Sequence, residues 1–507
     1  MNVIKTASYH DQLELIDCES VISPGLPNFK IIGLAGASIK ESEERIKAAL
    51  VSCNHKVASK KIILSLSPGD LPKEGSHFDL PLALLLYFTQ DSGVSFDDFF
   101  VFGELGLFGQ LKAPRALFSL LLFLSSKKPG AKVLIPSELK EQASLITQLE
   151  VYAVDNLQEA VDFFMAYQER EKYRVPFSQK LRDSSIEISS KLYWPNTDFL
   201  LDFADIKGQS AAKEACKIAA LGMHNLLLEG SPGCGKSMCA KRIPYIMPPM
   251  SLDELLESNA YKSLGSFKID FSPKRPFRSP HRSATQASIL GGGNKSSRIG
   301  EIALAHNGVL FFDEFAMFDK KLIENLREPL EDNEICISRV NSKVRYKTKF
   351  LFIAAQNPCP CGKLFAKSQD CRCSDLEINR YRAHISAPIY DRLDMYLAMD
   401  ESNDLSQGAS SAQMAQEIRE AFLFQKSVRG QDEYNGKLEA QDVDKFCILS
   451  SDADQVLEKA KASYQLSVRS LYKCKKLARS IADLDKSELI EKAHVLKALS
   501  YRFKARS

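Results

Sequence analysis

Two kinds of hydrophobic pattern alternate along the first third of the chain. Short apolar runs are typical of strands, and longer segments with an apolar residue at every third or fourth position are typical of helices. Their alternation predicts a separate α+β domain over residues 1–167. The predicted strands are Phe29–Gly33, Lys61–Leu66, Val133–Ile135 and Val151–Val154, and the predicted helices are Ser38–Cys53, Asp79–Phe88 and Asn156–Tyr167.

The pattern changes at residue 168 and again at residue 197. Residues 168–196 are polar and charged, contain prolines and keep no period, which predicts a linker. Residues 197–396 return to alternating helices and buried strands, which implies an α/β core with a parallel sheet. The elements expected in this core are the helix Gln209–Gly222 and the strands Asn225–Glu229, Val309–Phe312 and Phe350–Ala355.

Beyond Asp400 the strand-like runs disappear and helical periodicity takes their place. The helical stretches lie near residues 409–427, 440–448, 452–463, 466–482 and 487–502. They predict an all-helical C-terminal subdomain over residues 397–507. The expected fold class is therefore a multidomain α/β chain with an N-terminal α+β domain, a central α/β core and a helical C-terminal part.

Composition agrees with a folded chain of several domains. The 507 residues are too many for one hydrophobic core, and their content of 45% hydrophobic and 26% charged residues is ordinary for globular proteins. The longest apolar runs, Leu80–Phe88 and Ala116–Leu124, are too short to span a membrane as a helix. The N-terminus has no apolar segment before its acidic residues, which argues against a secretory signal. We expect a cytoplasmic protein with no membrane contact.

The net charge of +3 is small, but the basic residues are unevenly placed. Residues 272–298 contain six Lys or Arg and no acid, and residues 461–507 contain twelve Lys or Arg against four Asp or Glu. Stretches of this kind fit contact with the phosphates of a nucleic acid. A solvated helix face and a loop would have the same composition, so charge alone leaves both interpretations open.

A glycine-rich loop follows the strand HNLLLE and precedes a helix, which is the context of a phosphate-binding P-loop. Its glycines allow backbone N–H groups to surround phosphates, and the helix N-terminus adds partial positive charge. Lys236 is expected to neutralise the β and γ phosphates of ATP, and Ser237 to supply an oxygen to Mg²⁺. The loop consists of Gly230, Ser231, Pro232, Gly233, Cys234, Gly235, Lys236 and Ser237.

Two acidic residues end the apolar strand VLFF. Asp313 is expected to hold Mg²⁺, directly or through water, and Glu314 to orient and deprotonate the water that attacks the γ phosphate. An exposed acidic pair at a strand end is the alternative. The P-loop upstream favours the catalytic interpretation.

Three further polar residues are candidates for contact with the γ phosphate. Asn357 ends the strand LFIAAQ, although an asparagine before a proline also starts many turns. Arg392 follows a short predicted helix and Arg469 begins a basic helix, and either could be an ion-paired surface arginine. An arginine supplied by a neighbouring subunit would explain why enzymes of this kind work as rings.

Four of the twelve cysteines lie within one short segment. With no export signal, the thiols are expected to be reduced. Cys359 and Cys361 form one C-x-C pair, Cys371 and Cys373 form another, and nine residues separate the pairs. Four thiolates so spaced can converge on a tetrahedral Zn²⁺, which predicts a structural zinc site in an insertion over residues 358–375.

Longer motifs carry a family resemblance that runs nearly from end to end. They include GLAGASIKESEERIKAAL, LSPGDLPKEGSHFDLPLAL, GSPGCGKS, FRSPHRSATQASILGGG, GEIALAHNGVLFFDEF, LREPLEDNEICISR, NPCPCG and LSVRSLYKCKKLARSIADL. With these motifs the chain resembles the magnesium-chelatase-like AAA+ ATPases, specifically the YifB-like competence protein ComM family. The resemblance implies an AAA+ P-loop core, a C-terminal helical lid and an N-terminal Lon-protease-like (ribosomal S5 domain 2-like) domain.

The same resemblance implies a function. Members of this kind would be hexameric, ATP-driven DNA helicases that promote branch migration when single-stranded DNA is integrated during natural transformation and homologous recombination. Single-stranded and branched DNA, further copies of the chain and recombination proteins are the implied partners. By this likeness Asn357 matches sensor 1, Arg392 the arginine finger and Arg469 sensor 2, although Arg380 and Arg382 lie close to Arg392.

Two insertions implied by the resemblance would face the pore of the ring. One is the glycine-ended loop around residues 276–293, and the other is the hairpin from Glu334 to Lys349. Basic side chains along a pore suit the phosphates of a DNA strand. The residues expected to contact DNA in and beside these insertions are Arg278, Arg282, Lys295, Arg339, Lys343 and Arg345.

The chain departs from the family pattern in two places. The family usually reads PHH where residues 280–282 read PHR, and AAMNP where residues 354–358 read AAQNP. Lon-like proteases carry their nucleophilic serine in PKDGPSAG, and the corresponding residue here is His77, with Ser76 one position away. Because a nucleophile needs a fixed place beside its base, we do not expect proteolysis.

Three classes of function remain. The first is a DNA motor. The second is a chelatase-type motor subunit that acts on a protein or metal-insertion partner, against which the Lon-like domain, the cysteine cluster and the basic helical tail count. The third is an adaptor that uses ATP only to assemble, which the intact P-loop and acidic pair disfavour. DNA-stimulated ATP hydrolysis would separate the first class from the others.

Overall fold

Two large hydrophobic cores form among the described residues of the computed structural model. The structure describes residues 3–9, 13–55, 60–89, 94–96, 98–265, 268–292, 298–338, 343–365, 370–400, 406 and 408–502. The chain divides into two units. The first comprises Met1–Ser184, Asn259–Asp270 and Asn341–Val344, and the second comprises Ser185–Ser258, Phe271–Val340 and Arg345–Ser507.

A seven-stranded mixed sheet organises the first unit. Its strands, together with a two-stranded ribbon of β6 and β7, are β1 (Val3–Tyr9), β2 (Leu13–Ser23), β3 (Asn28–Ile32), β4 (Lys61–Ser67), β5 (Phe99–Val101), β6 (Glu104–Leu105), β7 (Leu111–Lys112), β8 (Lys132–Pro136) and β9 (Glu150–Val154). The helices are α1 (Ala37–Ser52), α2 (Asp79–Tyr87), α3 (Leu117–Lys127), α4 (Lys140–Ala143), α5 (Leu157–Met165) and α6 (Gln179–Asp183). The order of the large sheet is β3-β4-β2-β1-β5-β8-β9.

The strands and helices predicted for this unit are all present, with ends within two residues of the prediction. Helix α2 is the most deeply buried of them, because its sequence DLPLALLLY is apolar on nearly every face. Its first residue, Asp79, is also buried, and it accepts hydrogen bonds from the Arg45 Nε at 2.8 Å and from the Leu105 backbone N–H at 3.1 Å. The carboxylate is thus paired where an isolated charge would be costly.

His77 occupies the position at which Lon-like proteases carry their nucleophile, and its surroundings are those of a packed core residue. The Nε2–H donates to the Ala7 carbonyl at 2.9 Å, and the ring packs against Phe78 and Phe102. Burial lowers the pKa of His77 to about 4, so the ring is neutral at physiological pH. The neighbouring Ser76 hydroxyl donates to the Glu104 carboxylate.

The neutral His77 ring makes the stability of the first unit depend on pH. In an unfolded chain the pKa of histidine is about 6.5, so between about pH 6.5 and about pH 4 the unfolded state binds the extra proton. We therefore expect the free energy of unfolding to fall as pH falls through this window, by on the order of 3 kcal/mol. Urea unfolding of the wild type and of His77→Gln at several pH values in this window checks the expectation. In the variant, the free energy of unfolding should change less with pH than it does in the wild type. An unchanged slope would contradict the buried neutral ring.

A five-stranded parallel sheet organises the second unit. Along this part of the chain the strands are β10 (Ile186–Ile188), β11 (Lys191–Trp194), β12 (Leu226–Gly230), β13 (Met250–Ser251), β14 (Phe277–Arg278), β15 (Gly291–Gly292), β16 (Arg298–Ile299), β17 (Val309–Phe312), β18 (Glu334–Ser338), β19 (Lys343–Lys347), β20 (Leu351–Gln356) and β21 (Met395–Met399). The parallel sheet has the order β14-β17-β20-β12-β21.

Helices lie between these strands along the chain, and residues 408–502, the last that the structure describes, contain helices and no strand. They are α7 (Ser210–Gly222), α8 (Lys236–Ile246), α9 (Leu252–Leu264), α10 (Gln286–Leu290), α11 (Glu301–Leu304), α12 (Lys320–Asn325), α13 (Arg327–Glu331), α14 (Asp375–Arg382), α15 (Ala387–Tyr390), α16 (Ser411–Arg429), α17 (Ala440–Phe446), α18 (Ser451–Tyr464), α19 (Val468–Leu484) and α20 (Lys492–Ser500). The predicted mixed α/β architecture with a helical C-terminal region is confirmed.

The register of the parallel sheet determines where the candidate site lies. Strands β12, β17 and β20 are buried along their whole length, as their apolar sequences predict. Because neighbouring parallel strands end at the same edge, the segments that follow them lie side by side. Those segments are the P-loop after β12, the acidic pair after β17 and Asn357 after β20.

Two boundaries drawn from the sequence differ from the structure. The predicted linker 168–196 is wrong for its last part, because β10 and β11 pair antiparallel and β11 pairs with β13. The core also extends past residue 396, because β21 adds to the parallel sheet beside β12. Strands this short, whose partners lie far along the chain, leave no periodic signal that a local pattern could reveal.

The C-terminal helices α16–α20 pack into the same core as the parallel sheet. A buried ionic cluster lies among them, in which Asp483 receives two hydrogen bonds from Arg429, at 2.6 and 2.9 Å, and one from Arg479 at 3.0 Å. These carboxylate and guanidinium groups satisfy one another away from water. None of the helices within the described ranges is both long and apolar enough to cross a lipid bilayer.

Candidate nucleotide site and cysteine cluster

The loop between β12 and α8 has the backbone of a phosphate-binding turn. Gly233 and Gly235 have φ values of 85° and 95°, in the left-handed region that favours glycine. Helix α8 begins at Lys236 directly after the second of them. This conformation leaves the first N–H groups of the helix facing the loop, where phosphate oxygens can accept hydrogen bonds from them.

Lys236 points its ammonium group into the loop. The Nζ donates to the carbonyls of Gly230 at 2.6 Å and Ser231 at 2.9 Å, and it lies 3.4 Å from the Oδ1 of Asn357. The residue is 8% exposed. A buried cation so close to an open phosphate-binding turn has the position needed to neutralise a polyphosphate. The structure therefore brings Asn357 to the P-loop lysine.

Ser237 and Asp313 form a pair of oxygen donors at the start of α8. The Ser237 hydroxyl donates to the Asp313 Oδ2 at 2.7 Å, and the Asp313 Oδ1 accepts the backbone N–H of Glu314 at 3.0 Å. A hydroxyl and a carboxylate are the hard oxygen ligands that Mg²⁺ prefers. The two residues fit the magnesium position expected from the sequence.

Glu314 has an unusual backbone for a residue other than glycine. Its φ is 53°, in the left-handed region, which costs a residue other than glycine about 1–3 kcal/mol. Its Oε2 lies 3.0 Å from an Nη1 of Arg282, and both side chains are about half exposed. Arg282 was expected to contact DNA, and the structure places it on the candidate general base.

A buried polar group supports the strand that carries Asn357. Glu229, the residue before the P-loop, accepts hydrogen bonds from the Gln356 Nε2 at 2.9 Å and from the Tyr396 hydroxyl at 2.5 Å. These contacts connect the ends of β12 and β20 to the start of β21. Sequence reasoning did not identify this group, although an acidic residue in the apolar strand LLLEG is a signal that could have found it.

Arg392 and Arg469 meet at one carboxylate, that of Glu331. The Arg469 Nη1 lies 2.8 Å from the Glu331 Oε1, and the Arg392 guanidinium donates to the other oxygen of the same group. Arg392 also donates to the Pro388 carbonyl at 2.7 Å. Among the described residues, no hydrogen bond or ion pair joins either arginine to residues 230–237 of the same chain.

The two arginines line a cavity of about 820 Å³. Lys437, Lys473 and Lys476 line it as well, and burial lowers the pKa of Lys437 to about 8. Acidic side chains line the same cavity, so its positive and negative charges nearly balance; they are Glu331, Asp332, Asp394, Glu433, Glu439 and Asp442.

The residues expected to contact DNA have varied surroundings. Arg278 is paired with Glu301, with an Nη2 to Oε1 distance of 2.8 Å, and Arg345 is exposed on β19. The predicted hairpin that carries Arg345 is present as the two-stranded sheet of β18 and β19, while the loop 276–293, which carries Arg278, contains β14 and α10. Lys295, Arg339 and the side chain of Lys343 lie outside the described residues.

The four cysteines of the insertion come together between β20 and α14. The Sγ of Cys359 lies 3.4 Å from that of Cys361 and 3.6 Å from that of Cys371, and the last two sulfurs are 3.5 Å apart. With Cys373 included, all four sulfurs lie within 4.8 Å of one another. A tetrahedral zinc with bonds of about 2.3 Å has sulfurs about 3.8 Å apart, so the cluster has the dimensions of such a site.

Comparison with known families covers nearly the whole chain. Residues 202–406 match the family model described as magnesium chelatase, subunit ChlI. Residues 18–139 match that of subunit ChlI of Mg-chelatase, and residues 408–502 match that of the C-terminal part of the same subunit. The matched segments include the P-loop, the acidic pair, the cysteine cluster and both arginines.

Individual relatives extend this comparison. Competence protein ComM of Haemophilus influenzae is 34% identical over 99% of this chain and 97% of its own length. The uncharacterized protein YifB of Escherichia coli is 34% identical over 96% of this chain and 94% of its own. DNA replication licensing factor mcm-6 of Caenorhabditis briggsae is 24% identical over 39% of this chain and 25% of its own. The chain belongs to the ComM and YifB family of magnesium-chelatase-like AAA+ ATPases.

Proposed function

We propose that the chain is an ATP-driven DNA helicase that works as a homo-hexamer in the cytoplasm. It would promote branch migration while single-stranded DNA is integrated in natural transformation and homologous recombination, together with recombination proteins. One observation carries the proposal: each chain holds two half-sites, Lys236 with Asp313 and Glu314, and Arg392 with Arg469. Within the part of the chain that the structure describes, no hydrogen bond or ion pair joins one half-site to the other. A ring of copies joins such half-sites at every interface.

The first half-site performs the chemistry of hydrolysis. Lys236 neutralises the β and γ phosphates of ATP, and the backbone N–H groups of residues 233–237 bind their oxygens. Ser237 and Asp313 would hold Mg²⁺, which when bound neutralises charge on the phosphates. Glu314 accepts a proton from the attacking water, and Asn357 contacts the γ phosphate beside Lys236.

The second half-site would act on the nucleotide of the neighbouring subunit. Arg392 serves as the arginine finger and Arg469 as sensor 2, and both stabilise the charge that develops on the γ phosphate. Glu331 holds the two guanidinium groups next to each other before the neighbour's phosphate reaches them. A carboxylate shared by two arginines leaves donors of each available for a further anion.

DNA would bind through the basic residues of the loop 276–293 and of the hairpin β18–β19. The names of two relatives, a competence protein and a DNA replication licensing factor, support a role on DNA. Arg282 gives a route from DNA to hydrolysis, since a DNA phosphate that paired with its guanidinium would free Glu314 to act as a base. Arg278 and Arg345 would contact the strand electrostatically.

The cysteine cluster would bind one Zn²⁺ with a structural role. The donor set is four sulfurs, which is the composition of closed, four-coordinate zinc sites. The four cysteines would occupy the four positions of a tetrahedral zinc and leave none for a substrate.

DNA-stimulated ATP hydrolysis tests the proposed function. We expect the purified protein to hydrolyse ATP faster with single-stranded or forked DNA, and to move the branch point of a three-stranded substrate. The stimulation should fall with added salt, because the contacts are to phosphates. Lys236→Ala is the control without hydrolysis. Hydrolysis that responds to a protein or porphyrin partner and ignores every DNA structure would favour the chelatase-type motor and contradict the helicase.

A further inference from the structure

The cysteine segment folds back onto the P-loop. Gly362 follows Cys361 directly, and a Cβ placed on it would lie 2.7 Å from the Cδ and 2.9 Å from the Cγ of Pro232. Gly362 has a φ of 76°, so both its conformation and its lack of a side chain are needed for this approach. The backbone of the segment therefore rests on the proline ring of the nucleotide loop.

The same segment also surrounds Asn357. A Cβ on Gly362 would lie 3.7 Å from the Asn357 Cγ, and Cys359 follows Asn357 by only two residues. In α14, the Tyr381 side chain lies beside the Asn357 backbone, while burial raises the pKa of Tyr381 to about 12. Because Asn357 in turn lies 3.4 Å from the Lys236 Nζ, the contacts run without a gap from the cysteines to the phosphate-binding lysine.

The segment depends on cross-linking for its shape. Between the end of β20 at Gln356 and the start of α14 at Asp375, the described residues form no strand or helix. A metal that joins residues 359, 361, 371 and 373 closes this loop and removes most of its conformational freedom. Without the metal, the main restraint that keeps Gly362 against Pro232 is lost.

We propose that the metal-bound cysteine segment positions the nucleotide site. It sets the P-loop at Pro232 and the side chain of Asn357, so that ATP affinity and turnover depend on the bound zinc. This inference rests on the proposed zinc site and adds a consequence for the ATPase. The positions of the groups that hold the phosphates strongly affect the rate of phosphate transfer, since a displacement of about 1 Å can lower that rate about 100-fold.

Metal removal is the first test. The full-length protein is stripped of zinc with a chelator, its metal content is measured by mass spectrometry, and binding of a fluorescent ATP analogue is titrated with excess Mg²⁺. We expect one zinc per chain before treatment and at least about ten-fold weaker nucleotide binding after it. Added Zn²⁺ should restore the affinity. Circular dichroism shows whether the stripped protein keeps its helices.

Gly362→Ala tests the contact while the metal stays bound. The added methyl group would collide with Pro232. We therefore expect the variant to keep its full zinc content and to bind nucleotide about as weakly as the zinc-stripped protein does. Gly130→Ala is the matched control, because Gly130 has a left-handed φ of 79° and nothing within 4 Å of its Cβ position. Tyr381→Phe should lower kcat more than it raises KM, because it loosens Asn357 and leaves the P-loop in place.

The outcomes separate the inference from the zinc proposal. The purified protein could contain zinc and yet bind nucleotide equally well after stripping, and the Gly362→Ala variant could bind it equally well too. That result would overturn the positioning role but leave the zinc site in place. A protein that never contains zinc would contradict the metal site and the metal dependence together. If the stripped protein unfolds, the result for zinc-loaded Gly362→Ala decides, and unchanged affinity there overturns the inference.

Discussion

Glu314→Gln is expected to bind ATP with Mg²⁺ almost as tightly as the wild type and to hydrolyse it at least about 100-fold more slowly. The amide keeps the size and the hydrogen-bonding reach of the carboxylate, but it cannot accept the proton of the attacking water. Binding depends on Lys236, Ser237 and Asp313, which the substitution leaves in place. Steady-state phosphate release and titration with a fluorescent ATP analogue measure the two quantities separately.

A control substitution distinguishes this role from a general loss of charge. Glu44→Gln removes a carboxylate that is 81% exposed and lies in the first unit, where its partner is Lys47. Turnover by that variant should match the wild type. Near-normal hydrolysis by Glu314→Gln would remove Glu314 from the role of general base. Loss of ATP binding in the same variant would instead assign it to the nucleotide pocket.

Arg392→Ala is expected to lower ATP turnover by on the order of 10³-fold, and mixing it with Lys236→Ala should restore part of the activity. Each variant alone lacks one half-site at every interface. In a mixed ring, the intact P-loop of an Arg392→Ala subunit can meet the intact arginine of a Lys236→Ala neighbour. Random mixing in equal amounts completes about a quarter of the interfaces, because the contact between neighbours is head to tail.

The mixing result depends on the placement of the arginines away from their own P-loop. If Arg392 acted on the nucleotide of its own chain, no mixture would exceed the sum of its parts. Arg174→Ala is the matched control, since Arg174 is a half-exposed surface arginine paired with Glu171. Rings formed from that variant and Lys236→Ala should show only the activity expected from the number of intact subunits. Arg469→Ala in place of Arg392→Ala extends the test to sensor 2.

Arg282 was predicted from the sequence only to contact DNA, and the structure also pairs it with Glu314. The two residues are separated by 32 positions, and Arg282 stands where the family usually has histidine. The long cationic side chain of Arg282 reaches the carboxylate of the candidate general base, and its charge suits DNA phosphate equally well. One guanidinium thereby joins the loop 276–293 to the proposed hydrolytic site.

The sequence by itself determined the parts of the site that are local in the chain. The P-loop, the acidic pair and the C-x-C pairs are runs of adjacent residues, and each follows or precedes an element whose periodicity is strong. Because parallel strands end at one edge of a sheet, the sequence also implied that the segments after β12, β17 and β20 would meet. The long helices and the buried strands were predictable for the same reason.

Only the tertiary structure decided which distant residues share a contact. Glu331 joins Arg392 and Arg469, Gly362 rests on Pro232, and Gln356 and Tyr396 meet at Glu229. None of these pairs is marked by a period or a motif, because each depends on how sheet, helices and insertion pack against one another. The local sequence pattern predicts which face of a helix or strand is buried. Which residues contact that face is determined only by how the elements pack in the folded chain.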